Sequence, residues 1–137
     1  MKGFELFDHT ADVGIRATGR DLAEAFGNVA RGMFSVIAEL DAIAPRETHQ
    51  VSITAPDQEA LVVDWLNELL YLFEVEGLLF SQFAVELLGD RELRATCSGE
   101  PVAPGRHHIK TGVKAATYHG LQVGRNDGWH IQVILDI

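Results

Sequence analysis

Cysteine is nearly absent from this 137-residue sequence: Cys97 stands alone, so no intrachain disulfide can form. Cys97 follows Leu93 and Ala95 at period two, which reads as a core-facing strand position and not as a reactive thiol. No apolar run approaches the roughly 20 residues that span a bilayer. The opening MKGFELFDHT lacks the apolar stretch of a secretory signal, so the expected setting is the cytoplasm. Basic residues are scarce, 11 Lys and Arg against 20 acids, for a formal charge of −9 with no Lys/Arg run. That balance repels a polyanion and argues against direct, tight nucleic-acid binding. The histidines, His9, His49, His107, His108, His119 and His130, are scattered and form no H-E-x-x-H or Cys-paired zinc pattern. There is no G-x-G-x-x-G, no Walker loop and no G-x-S-x-G, which removes the common nucleotide-binding and serine-hydrolase signatures.

What is present is a large apolar fraction, 47%, enough for one core in one domain over residues 1–137. Two helices are expected. The first, over 21–39, opens with the capping pair Asp21 and Glu24 and repeats Leu22, Ala25, Phe26, Val29, Met33, Phe34 and Ile37 at helical spacing. The second, over 58–76, has Asp57 as a cap and Gly77 as a left-handed stop. Its polar stripe is narrow (Asp57, Asp64, Asn67, Glu68, Tyr71), so it is expected to be the central helix. Alternating residues predict strands over 49–55, 83–87, 93–97, 121–125 and 129–135, with a turn at Gly89-Asp90, a loop over 99–105 and a hairpin at Asn126-Asp127-Gly128. The fold class is α+β: a mostly antiparallel sheet covered on one face by two helices.

Candidate chemistry sits at the two ends. FDHTADVGI places Asp8, His9 and Asp12 within five positions, and the terminal strand carries Asp136 next to the Ile137 carboxylate. Two anions so close repel, and a cation would relieve them. If the first and last strands are neighbours, Asp12, Asp136 and Ile137 supply hard oxygen ligands suited to Ca²⁺ or Mg²⁺ and not to zinc. The plain alternative is that Asp8 and Asp12 cap a turn. VKAATYHGL reads as a further strand, with Lys114 a lone lysine inside it and Tyr118-His119 at its end; Lys114 and His119 either line the same acidic cleft or are edge polarity.

DHTADVGI, WLNELLYLFE, VKAATYHGL and a final strand ending LDI, in this order over essentially the whole chain, resemble the archease family. The resemblance implies a small α+β protein that is not an enzyme. It implies an activator of the GTP-dependent RNA-splicing ligase of tRNA splicing, which promotes guanylylation of the ligase's active-site histidine, repeated turnover and broader nucleotide use. A tRNA methyltransferase is implied as a second partner. The implied metal site is Asp12, Asp136 and Ile137, holding a divalent ion: calcium, with magnesium and manganese as alternatives. Asp8 and His9 then shape the turn that presents Asp12. With Asp64, Lys114 and His119 they complete the candidate partner-facing set. Two other readings are a stand-alone metal-dependent hydrolase and a general chaperone of tRNA-modification enzymes.

Overall fold

Capping side chains set both helices where the pattern places them. The computed structural model describes residues 3–9 and 12–137. Its elements are β1 (Phe4–His9), β2 (Asp12–Gly19), α1 (Leu22–Ile37), a 3₁₀ turn (Leu40–Ala42), β3 (Glu47–Thr54), α2 (Gln58–Glu76), β4 (Leu78–Leu87), β5 (Glu92–Pro101), β6 (Ala115–Arg125) and β7 (Trp129–Asp136). Asp21 Oδ1 accepts from the Glu24 amide at 2.8 Å, and Asp57 Oδ1 from the Ala60 amide at 2.8 Å. Gly77, at φ 68°, ends α2 in the left-handed region that favours glycine. Helix α1 stops at Ile37, where Ala38 turns extended and the Lys110 amide takes the Ile37 carbonyl at 2.7 Å.

The chain is α+β with antiparallel strands, as expected. Among the described residues those strands divide into two sheets, ordered β1-β2-β7-β6 and β3-β5-β4. The division follows from α1, which packs on β2 on one side and on β4 on the other. Its buried residues run nearly round its circumference. Glycine meets each sheet: a Cβ at Gly32 would lie 2.7 Å from Ile15 Cγ2, and one at Gly27 3.4 Å from the Phe83 carbonyl oxygen. Ile15, Ala17, Ile131, Val133 and Leu135 form one wall of the core, and Phe80, Leu93, Ala95 and Cys97 the other. Phe34 spans the gap, edge-on to Phe80 and stacked on Phe83 with centroids 5.8 and 5.9 Å away. Thus α1, and not the expected α2, is the central helix. Helix α2 packs mainly on β6 and keeps a solvent face, while buried Trp65 donates to the Phe26 carbonyl at 3.0 Å and ties it to α1.

Three strand expectations change. Strand β5 continues through Pro101, because Gly99 lets the Leu79 carbonyl approach where any Cβ would clash, so the loop starts after it. Lys114 lies just before β6 and not inside a strand. Tyr118 and His119 do not end that strand. They sit in a bulge, since from Thr117 to Gln122 β6 advances five residues while β7 advances two, from Ile134 to Gln132. Gly120 takes φ 65° there. Cys97 faces the core as expected, and burial pushes its thiol up to about 12, so it is not a nucleophile at neutral pH. No helix among the described residues is long and apolar enough to cross a membrane.

Candidate functional site

Strand register decides which of the candidate residues meet. In the β2–β7 pair Asp12 stands directly opposite Asp136, and in the β7–β6 pair Asp136 stands opposite Ala115. His9 pairs with Asp12 across β1–β2. Four strand ends therefore meet in one row: the end of β1, the start of β2, the end of β7 and the start of β6. Directly opposed residues project from the same face, with Cβ atoms about 4.5–5.5 Å apart. The face is fixed by alternation. Val13, Ile15, Ala17, Val133 and Leu135 turn toward α1 and the core, so Asp12 and Asp136 turn outward. The two ends of the sequence converge because β2 and β7, each carrying an alternating apolar set, must both line that core.

Neighbouring residues hold the row. The Lys114 amide donates to the Asp136 carbonyl at 2.7 Å. On α2, Asn67 brackets the start of β6: its Oδ1 accepts from the Ala116 amide at 2.8 Å and its Nδ2 donates to the Ala116 carbonyl at 3.4 Å. Thr117 Oγ1 donates to the Ile134 carbonyl at 2.9 Å. One step in from the acids, the Phe7 ring covers Gly14, where a Cβ would strike it. The Arg16 guanidinium lies 4.1 Å from that ring's centroid and bonds Gln132 Oε1 at 3.0 Å. Ile134 is buried on this same outer face. On the inward side the acids thus adjoin Phe7 and Ile134 and, one step further, the Arg16 guanidinium.

Asp8 pairs with Val13, one register step from Asp12, and so lies on the opposite side of the sheet, in a hollow with Ser35, Val36 and Lys110. The His9 side chain lies outside the described residues. Lys114 is exposed and adjoins the row through its backbone. His119 is exposed in the β6 bulge, four residues along the chain from Ala115. Asp64 is on the solvent face of α2, near Tyr118. Ile137 is half-buried against the core edge, directly after Asp136.

Chemically the row offers two side-chain carboxylates with hard oxygen donors. Among the described residues no three Asp, Glu, His or Cys side chains gather round one point. A hard cation here would therefore complete its shell from main-chain oxygens, the terminal carboxylate and water, as Ca²⁺ and Mg²⁺ do. A groove of about 790 Å³, lined by Arg16, Thr18, Gln122, His130 and Gln132, occupies the other end of the same sheet.

A second carboxylate centre has no counterpart in the sequence reading. Glu100, 2% exposed, accepts from the Ala44 amide at 2.8 Å, from Arg106 Nη1 and Nη2 at 3.0 and 2.8 Å, and from His107 Nε2 at 2.9 Å. The Ala103 amide donates to His107 Nδ1 at 2.8 Å, which leaves the ring proton on Nε2 facing Glu100. The Ala44 hydrogen bond first, then His107 and Arg106, hold the Glu100 carboxyl at about 2 against its burial. The only sequence signal was an acid alternating into a strand, with its cations in a loop that carries no motif.

The family model described as the Archease protein family (MTH1598/TM1083) matches residues 4–137. A "Protein archease" of Methanosarcina acetivorans is 42% identical, over 99% of this chain and 97% of that protein. One of Methanothermobacter thermautotrophicus is 40% identical over the full length of both. Among solved structures, the solution structure of Methanobacterium thermoautotrophicum protein 1598 matches with a TM-score of 0.87 and 41% identity over all of both chains. The crystal structure of a Thermotoga maritima archease, described as a possible chaperone, matches with a TM-score of 0.62 over 97% of this chain and 96% of that one. At 22% identity this is a likeness of fold.

Proposed function

The chain belongs to the archease family, and from that premise we propose that it is a non-catalytic activator of a GTP-dependent RNA-splicing ligase. In this reading it promotes guanylylation of the ligase's histidine, and so repeated turnover in tRNA splicing. A chaperone-type role is the coarser form of the same idea. The observation that supports it is the opposition of Asp12 and Asp136 on an open sheet face. Two carboxylates brought together from opposite ends of the sequence, on a face turned away from the core, form an acidic projection and not an enclosed reaction chamber.

Asp12, Asp136 and the Ile137 carboxylate would hold a divalent cation, calcium or else magnesium or manganese. When bound, the ion supplies concentrated positive charge at the tip of the acidic end. The protein's own part is positional. Asn67 and the Lys114 amide fix the strand ends, and Phe7 over Gly14 stiffens the adjoining surface. A rigid acidic end of this kind suits the cationic, nucleotide-handling entrance of a ligase. It changes the ligase's state only by binding its guanylylation-competent form more tightly than the other. A tRNA methyltransferase is a second client on the same terms, and the cytoplasm is the compartment the reading requires.

The test is ligase–GMP formation with sub-stoichiometric protein. Asp12→Ala and Asp136→Ala are expected to fold normally and to abolish stimulation. A folded variant that stimulates as well as the parent would refute the proposal. Metal-dependent phosphoester turnover by the chain without any ligase would favour the hydrolase reading instead.

A further inference from the structure

The net charge of the chain is concentrated in one segment. Between Glu47 and Asp90 lie nine of the 20 acidic residues and none of the 11 Lys and Arg, so this segment carries the whole formal −9 and the remainder balances. Five of the nine, Glu59, Asp64, Glu68, Glu74 and Glu76, are on α2, and none of them forms a salt bridge among the described residues. Exposed acids alone are an ordinary solubilising face. This face has more. Tyr71 and Val75 are 52% and 63% exposed, and they continue the line of Asp64 and Glu68 at helical spacing. Tyr118, 59% exposed on β6, flanks the same helix. Desolvation, then the charges of Asp64, Asp57 and Glu59, push its hydroxyl pKa up, so the ring stands in the field of that face. Asn67 fastens β6 to α2 between these residues.

Charge selects the occupant. Nucleic acid and anionic lipid are repelled by this face. A second copy docked helix to helix would bring two acidic ridges together. We propose that the Asp64–Val75 face of α2, with Tyr118 beside it, is the docking surface for a protein surface rich in Arg and Lys. Guanidinium and ammonium groups meet the acids and stack on Tyr71 and Tyr118, and Val75 buries an apolar contact. Resting on the reading above, the RNA ligase is that protein, since an enzyme that grips RNA must display such cations. The ridge then gives affinity, while the Asp12–Asp136 row acts on the ligase's state.

Binding of the full-length chain to purified ligase, measured along a salt series beside the guanylylation assay, tests this. Tyr71→Ser/Val75→Ser is expected to weaken Kd by about tenfold or more with unchanged melting, because both side chains are mostly in solvent. Glu68→Gln/Glu74→Gln is expected to slow association and flatten the salt dependence. The control Leu88→Ser, exposed but off the helix, should bind like the parent. Parental stimulation at parental half-saturation by Tyr71→Ser/Val75→Ser overturns the ridge and leaves the activator reading standing. A parent chain that neither binds nor stimulates the ligase overturns both. A homodimer that the same double variant abolishes overturns the ligase as occupant.

Discussion

Asp12 and Asp136 face each other at the end of an open sheet, while Glu100 sits behind the other sheet with 2% of its surface exposed. All three are carboxylates in a chain with acid to spare, yet their surroundings are opposite. Glu100 has its oxygens filled by the Ala44 amide, Arg106 and His107, all from its own chain. Taking an ion out of water is costly unless its partners saturate it, and saturation leaves it nothing to offer a ligand. The exposed Asp136 makes no such bond among the described residues, so its lone pairs stay available from solvent. The buried charge cluster is thus the architectural one, and the exposed Asp136, opposite Asp12, is the candidate for chemistry.

The comparison breaks most sharply at Glu100. Glu100→Ala leaves Arg106 and His107 without their acceptor and frees the Ala44 amide. That untethers the segment after the 3₁₀ turn from the loop after β5. It is expected to give the largest fall in melting temperature of any single acidic substitution. Glu100→Gln, which keeps volume and some hydrogen bonding, should fall between it and the parent. A Glu100→Ala protein that melts like the parent would show the cluster to be idle.

Acid titration sharpens the same point. The folded Glu100 carboxyl lies at about 2, below its ordinary 4.5. A depressed carboxylate contributes stability that is complete above the unfolded value and is lost as pH falls through the folded one. Denaturant midpoints should therefore decline from about pH 4.5 downward, and the decline should be shallower in Glu100→Gln. Equal slopes in the two proteins would detach the acid response from Glu100.

Local features were readable in advance. The Asp21 and Asp57 caps, the Gly77 stop and the Asn126–Gly128 turn act through neighbours a few residues away, so short stretches of sequence carry them. The division into two sheets was not readable, because it depends on α1 being small and apolar on both flanks at once. Asp12 and Asp136 were visible as acids, but only β2–β7 register brings them together. The same register sends Asp8 to the other side, a one-residue difference that grouping by proximity in sequence misses. Glu100 was invisible because its partner Ala44 is 56 residues away and its cations come from an irregular loop.

The smallest effect is expected at the open end of the sheet. Asp136→Asn keeps size and shape at an exposed position whose carbonyl, and not its side chain, holds Lys114 in place. In chelator-treated protein it should change stability by no more than about 0.5 kcal/mol. Adding Ca²⁺ should then separate the two proteins. An ion that binds only the folded state stabilises it by RT ln(1 + [ion]/Kd), so the parent's melting temperature should rise along a calcium titration while that of Asp136→Asn stays nearly flat. Repeating the titration with Mg²⁺ and Mn²⁺ ranks the ions at the same row. If both proteins rise together, the ion binds elsewhere. If neither rises, Asp12 and Asp136 are an acidic surface without a resident cation, and activation of a partner would have to run through their charge alone.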